Sequence, residues 1–275
     1  MLYNKENPLK VITLCSGYDS QCLALNRLKD NYPEFDYELI AWAEFDPQST
    51  QPLYKQPAVI AHNALFPQWK DRNLGDMTKI DWEKVPDFDL LFYSTPCQSI
   101  SSAGLQHGFR EGSGTRSSII WNVRDAVKIK RPKFLCLENV SNMVTQKFVG
   151  LFNLWQRELE KFGYKNFARV LNAKDYGIPQ NRERIFLVSI LDENARFYFP
   201  EPFKLEKRLK DVLEQNVDEK FYLNQHDIDV FNAHKERNEA KGNGFGWNPT
   251  DGDGVAYAIL AGEKRPNDNY IIVKN

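Results

Sequence analysis

Asp89-Leu-Leu-Phe-Tyr-Ser-Thr-Pro-Cys-Gln-Ser99 is an apolar run that stops abruptly at Pro96 and Cys97. Residues Asp87 to Tyr93 read as a buried strand, so the Pro-Cys pair falls on the loop at that strand's carboxyl end. Open α/β sheets place their ligands at this edge. Cys97 is therefore a candidate nucleophile: a thiolate attacks soft electrophilic carbon and leaves again easily, provided its site favours the ionised form. The competing reading is a small buried hydrophobe, the fate of most free cysteines. The flanking segments decide between the two.

Upstream, Lys10-Val-Ile-Thr-Leu-Cys15 predicts a first strand, and Ser16-Gly17 turns it into a helix with Cys22, Leu23, Leu25 and Leu28 on its apolar side. A strand, a glycine turn and a helix amino end commonly seat a nucleotide-like cofactor. Only Gly17 stands where a dinucleotide fingerprint wants three glycines, so an ordinary tight turn competes. Tyr37 to Phe45 predicts a second strand, with Pro47 opening a helix. Glu44, at that strand's end, is suited to accept hydrogen bonds from ribose hydroxyls. Asp76, in Leu74-Gly-Asp-Met-Thr78, is placed to receive an amino group such as that of adenine. A solvated carboxylate and a plain turn are the competing readings.

Downstream, Ser99 to Gly114 is small and polar, with Gly104, Gly108, Gly112 and Gly114 inside it. A connection of that length in a compact domain is a functional loop or disordered, and beside a nucleophile it reads as a lid. Arg116 to Arg131 predicts a helix with Ile119, Ile120, Val123 and Val127 inward, stopped by Pro132. Lys133 to Val140 predicts another buried strand, ending in Glu138 and Asn139; a carboxylate there can hold or protonate a ring nitrogen. Residues 147 to 162 predict a core-packing helix. Gln180-Asn-Arg182-Glu-Arg184 leads straight into a last strand, so both guanidiniums stand near the sheet edge and can grip a carbonyl or phosphate in two-point fashion.

The 275 residues suit one large α/β domain with a smaller appendage. With 36 basic against 37 acidic residues, bulk charge argues neither for nor against a polyanionic partner. Cys15, Cys22, Cys97 and Cys136 show no C-x-x-C spacing, so no metal site is expected and a reducing cytoplasm is the simpler setting. Met1 to Lys10 lacks the apolar core of a signal peptide, and no stretch reaches membrane-span length.

Pro96-Cys97-Gln98, Glu138-Asn139-Val140 and Tyr176-Gly-Ile-Pro-Gln180 before Arg182 and Arg184 occur in that order, after a glycine turn and an acidic strand end. Together they resemble the cytosine-5 DNA methyltransferase family, over about Val11 to Ile190. The resemblance implies a Rossmann-like α/β methyltransferase fold with a mostly parallel, doubly wound sheet across residues 1–195. A small, incomplete target-recognition region would follow across 196–275. It implies S-adenosylmethionine as cofactor, double-stranded DNA as partner, sequence-specific methylation of cytosine carbon 5, and neither metal nor membrane. Cys97 would add to carbon 6 of an extruded cytosine. Glu138 would bind N3 and the amino group, Arg184 the carbonyl side, Arg182 would support the site, and Asn139 would brace the Pro96-Cys97 loop. For the cofactor the resemblance assigns Ser16, Gly17, Tyr18 and Asp19 in the first motif, then Glu44, Phe45, Asp76, Met77 and Pro96. Gln98, Ser99, Arg116 and Gln180 would face the substrate, and the loop from Ser99 to Gly114 would close on DNA.

The family's first motif usually carries an aromatic residue and a second glycine where this chain has Cys15 and Asp19. Gly242 to Trp247 and Tyr257 to Ala261 look like a loop and strand of the recognition region. Family members continue beyond the point matching Asn275, so the resemblance implies either a second polypeptide that supplies the remaining motifs or a truncated relative, and the intact catalytic residues favour the split enzyme. Transfer RNA is the runner-up substrate. A non-catalytic DNA-binding or partner-binding subunit on the same fold is the alternative of another class, and a nicotinamide dehydrogenase fits poorly for want of the glycine fingerprint.

Overall fold

A computed structural model describes residues 2–100, 107–242, 246–258 and 270–272. The chain divides into two compact units, Met1–Val170 with Arg184–Phe199, and Leu171–Glu183 with Pro200–Asn275. In the first unit the apolar runs become strands β1 (Leu9–Leu14), β2 (Tyr37–Ala43), β3 (Leu90–Tyr93) and β4 (Phe134–Val140), joined by β5 (Lys165–Asn172) and β7 (Glu183–Ile190). Their order across the sheet is β2-β1-β3-β4-β7-β5. The first four are parallel, whereas β7 runs antiparallel to β4, with Arg184 opposite Val140 and Phe186 opposite Glu138.

Period-two alternation splits the apolar residues between two cores. Leu9 and Val11 of β1 pack with Cys22 and Leu25 of α1 (Ser20–Asn31) and Val59 of α2 (Pro57–Leu65). Ile12 and Leu14 face the other way, toward Val123 and Val127 of α3 (Val123–Lys130) and Trp155 and Leu159 of α4 (Val149–Lys161). Each such fully buried aliphatic side chain stabilises the fold by roughly 1.5–3 kcal/mol. Trp155 also donates its indole N–H to the Tyr93 hydroxyl at 3.1 Å, so its one polar atom is satisfied within the core. A slip in register between Val11 and Ile12 passes over Ile40 of β2 and keeps Trp42 on the α1/α2 side.

Several local expectations are corrected. Leu23 and Leu28 are exposed on α1, because the short segment turns only Cys22 and Leu25 inward. Pro47 opens no helix; Asp46 accepts from the Gln48 N–H in a local turn, and Pro57 is the proline at a helix start. Residues 116–122 form a 3₁₀ segment rather than the start of α3.

The second unit pairs β6 (Gln180–Asn181) in parallel with β8 (Ala256–Tyr257) and carries helix α5 (Gln225–Glu239), capped at both bonds of a capping box by Asn224 and Asp227. Phe231, Trp247 and Tyr270 form its aromatic cluster. Part of the expected lid, Gly104 included, and parts of the expected Gly242–Trp247 loop and Tyr257–Ala261 strand lie outside the described residues. Among the described residues no helix is long and apolar enough to cross a membrane.

Candidate active site

The loop after β3 is tied down from three directions. Asn139 Nδ2 donates to the Thr95 carbonyl at 3.0 Å, in full burial. Ser117 Oγ, from the 3₁₀ segment, donates to the Pro96 carbonyl at 2.7 Å and accepts from the Ser99 N–H at 3.2 Å. The Ile100 N–H closes a turn onto the Cys97 carbonyl at 2.9 Å, and Asn142 Nδ2 donates to the Ile100 carbonyl. Cys97 is thereby presented half-buried on a short, braced loop, with Gln98 following in the turn.

Glu138 reaches the same sheet edge from β4. The register sets Leu137 opposite Tyr93, so Glu138 stands one residue beyond that level, where the neighbouring chain turns toward Pro96. Arg184, at the start of β7, holds it: Nε lies 3.0 Å from Glu138 Oε1, and both side chains keep partial access to solvent. The alternation of β4 buries Asn139 on one face and leaves Glu138 on the other, which is why adjacent residues meet different partners. Cys136 lies two residues back; burial, with the Glu138 charge adding to it, pushes its thiol up to about 12.

Around the turn after β1, three of five residues have a left-handed backbone: Cys15 at φ +52°, Gly17 at +57° and Asp19 at +65°. Asp19 caps α1 by accepting from the Cys22 N–H at 3.2 Å. The Gly17 N–H donates to Glu44 Oε2 at 2.7 Å, and the Ser16 N–H to the Ala43 carbonyl at 3.3 Å, so the turn is fastened to the end of β2. Burial raises the Glu44 carboxyl above its ordinary range, against the opposing pull of that N–H. Asn73 ties the end of β2 to the segment before Asp76: its Oδ1 accepts from the Glu44 and Gly75 N–H groups at 3.2 and 2.9 Å. Cys15 Sγ touches Met77 Sδ at 3.4 Å. Burial opposes ionisation of Asp76, but the hydroxyl and N–H of Thr78 and the Lys79 ammonium outweigh it and lower its carboxyl. Tyr18 and Phe45 expose their rings beside this turn.

An added Cβ on Gly17 would meet nothing within 4 Å, so the space over the turn is open. With Glu44 at one strand end and Asp76 beyond Asn73, the acceptor set fits a ribose and an aminopurine. Arg116 sits on this side too, donating to Gln48 Oε1 at 3.1 Å and lying 3.6 Å from Asp46 Oδ1. Arg182 and Gln180 belong to the second unit. There the Arg182 N–H donates to Asn172 Oδ1 at 3.0 Å, and Gln180 pairs with Ala256. Thus the structure brings Pro96, Cys97, Glu138, Asn139 and Arg184 to one sheet edge, and Ser16, Gly17, Asp19, Glu44, Asp76 and Met77 around the neighbouring turn. Ser117 and Asn73 escaped sequence reasoning. A serine and an asparagine in polar connections carry no periodic signal; only the fold reveals what they tie.

A doubly wound, mostly parallel sheet with a nucleotide-type turn beside a Pro-Cys loop defines the class as a Rossmann-like methyltransferase fold. Solved structures agree. A methyltransferase of Entamoeba histolytica, EhMeth, superposes with a TM-score of 0.68 at 17% identity, over 97% of this chain and 79% of that one. The Dnmt2 methyltransferase of S. pombe gives 0.66 at 17% identity, over 95% and 74%. The chain belongs to the C-5 cytosine-specific DNA methylase family, whose model matches residues 9–270. Among curated relatives, the type II methyltransferase M2.ScrFI of Lactococcus lactis subsp. cremoris is 48% identical over 158 residues, 58% of this chain and 44% of that protein. The orphan methyltransferase M.SssI of Spiroplasma monobiae is 35% identical over 205 residues, 72% of this chain and 52% of that protein. The chain thus spans about half the length of the curated relatives it matches.

Proposed function

We propose that the chain transfers a methyl group from S-adenosylmethionine to carbon 5 of cytosine in double-stranded DNA, at specific sequences. The observation that carries this reading is the 3.0 Å Glu138–Arg184 pair beside the braced Pro96-Cys97 loop, at the carboxyl edge of a sheet with an open nucleotide-type turn. Bound over Gly17, with Glu44 toward its ribose and Asp76 and Met77 toward its adenine, the cofactor would supply an electrophilic methyl carbon.

The protein's own groups do the rest. Cytosine carbon 5 is a poor nucleophile until the Cys97 thiolate adds to carbon 6 and makes it electron-rich. Glu138 hands a proton to N3 and accepts from the exocyclic amino group, offsetting the charge that this addition pushes into the ring. Arg184 keeps that carboxyl group oriented and faces the carbonyl side. Asn139 and Ser117 hold the loop so that Sγ meets carbon 6 at a fixed angle. After the methyl group has joined carbon 5, loss of the proton there expels the thiolate and regenerates Cys97. In this reading Gln98, exposed beside Cys97, meets the extruded base, whereas Ser99 is buried against Ser117 and Arg116 is engaged with Gln48 and Asp46, so neither takes the substrate-facing role expected of it. Under the same reading catalysis belongs to the first unit and target recognition to the second, whose bounds differ from the division at 195/196 by taking in Leu171–Glu183 and leaving 196–199 to the first.

A duplex carrying 5-fluorocytosine tests it, because fluorine cannot leave as a proton does. A covalent adduct that needs both S-adenosylmethionine and Cys97 is expected; none with DNA, from the chain alone or with a complementing polypeptide, refutes the reading. Adduct formation on transfer RNA instead of DNA would replace the substrate while keeping the chemistry.

A further inference from the structure

Two buried ionisable side chains beneath the cofactor turn take no part in that chemistry. Asp19 is wholly buried where the turn passes into α1. Its Oδ1 accepts from the Cys22 N–H at 3.2 Å and its Oδ2 from the Thr13 hydroxyl at 2.8 Å. His62, from α2, is equally buried; its ring stacks on Trp42 at 3.6 Å with planes 16° apart and tilts against Phe66. Neither ring nitrogen has a hydrogen-bond partner among the described residues, yet Nε2 stands 3.6 Å from Asp19 Oδ2.

A carboxylate withdrawn from water needs a counter-charge or a full set of donors. Thr13 and Cys22 supply two donors, and an ionised carboxylate can accept about four. His62 is the group able to carry positive charge that contacts Asp19. Stacking on Trp42 would be served by any aromatic ring, so it does not account for the nitrogens. An L-residue persists in the left-handed region only where its surroundings over-determine it, and Asp19 stands where the family usually has glycine.

We propose that His62 is a positioning residue for the cofactor: through Asp19 it fixes the backbone of Ser16–Asp19 in the form that receives S-adenosylmethionine. This rests on the functional reading above. The pair joins α2 to the β1–α1 turn, beside the apolar cluster in which Cys22 and Val59 pack with Trp42. Loosening the pair frees the turn without touching Cys97.

The test compares the full chain with His62→Phe, His62→Gln, Asp19→Asn and the Asp19→Asn/His62→Phe double variant. His62→Phe keeps a ring between Trp42 and Phe66 and removes both nitrogens, while His62→Gln restores a donor at similar reach. Cofactor binding is read by calorimetry, and amide hydrogen exchange of residues 16–23 is read on the cofactor-free protein. His62→Phe and Asp19→Asn are each expected to weaken binding about tenfold and to speed exchange across the turn, with β4 unaffected. His62→Gln recovers part of the loss, and the double variant is no worse than the more affected single variant. In turnover, His62→Phe raises the KM for cofactor and leaves kcat within about twofold. Binding and exchange in His62→Phe equal to those of the unaltered chain would overturn the proposal, as would simple additivity in the double variant. If His62→Phe does not fold, Asp19→Asn and His62→Gln carry the same comparison. Should the unaltered chain bind no S-adenosylmethionine, the functional reading fails, and exchange in the cofactor-free protein still decides whether His62 holds the turn.

Discussion

Asn139→Ala separates the brace of the nucleophile loop from the nucleophile itself. Asn139 is 2% exposed; it donates to the Thr95 carbonyl at 3.0 Å and accepts from the Val140 N–H at 2.9 Å. Alanine removes both bonds and leaves the buried Thr95 carbonyl without that partner, a loss of about 1–3 kcal/mol, with about 1 kcal/mol more for the bond to Val140. A total near 3 kcal/mol is a fraction of the roughly 5–15 kcal/mol that such domains possess, so the variant folds. Its Tm is expected to fall by roughly 6–12 °C, at about 2–4 °C per kcal/mol for a chain of this size. Thr95 lies two residues from Cys97, and the ties through Ser117 remain. A displacement of Sγ by about 1 Å can cost a hundredfold in rate, so kcat should drop by about ten- to a hundredfold. Urea unfolding gives the first number. Transfer of a tritiated methyl group, measured well below the lowered Tm so that both proteins are folded, gives the second. A loss of stability with kcat within twofold of the unaltered chain would show that Ser117 alone places the cysteine; unchanged stability would show that the Asn139 bonds are not maintained in solution.

Arg184→Lys keeps the charge but loses the planar Nε contact to Glu138, so kcat should fall by about ten- to a hundredfold while DNA affinity changes less, read as a kcat against KM split. Burial, aided by nearby acids, pushes Cys15 and Cys136 up to about 12 and raises Cys22 as well. A thiol reagent at pH 8 should therefore modify Cys97 first in the folded chain, as peptide mapping would show; equal labelling of Cys136 would contradict this. Burial raises Glu44, so the folded chain binds its proton more tightly than the unfolded one, and this contribution to stability disappears as pH rises from the ordinary carboxylate range through the folded value. Glu44→Gln should abolish that slope in urea titrations between pH 4 and 7 while weakening cofactor binding; a stability difference constant with pH would refute the assignment. Gly108 sits at φ +82°, and a Cβ there would lie 3.3 Å from Phe148 Cε1, so Gly108→Ala should cost about 1–2 kcal/mol by urea unfolding.

The strands were legible because each is an apolar run cut off by a glycine, a proline or a carboxylate, and those same endings hold the proposed site. Cys97, Glu138 and Glu44 could be read as chemistry from their place at strand ends. Helix detail was harder: Leu23 and Leu28 looked inward on a periodic pattern, yet α1 covers only a narrow part of the sheet. Pro47 and Pro57 are indistinguishable as helix openers by local preference, and only packing against Trp42 and Phe66 selects the second. The Asp19–His62 pair was illegible, since it joins residues far apart in the chain through a sheet whose twist and register decide the distance. The allocation of Leu171–Glu183 to the second unit was hidden for the same reason: nothing in its composition marks it off from β7.

The pleat of β4 gives neighbouring residues opposite duties, with Asn139 turned into the protein and Glu138 turned toward Arg184. Under the proposed mechanism, two demands that usually compete, rigidity and reactivity, are thereby written on separate sides of one ribbon. Selection can retune the acid without loosening the scaffold, and can repair the scaffold without retuning the acid.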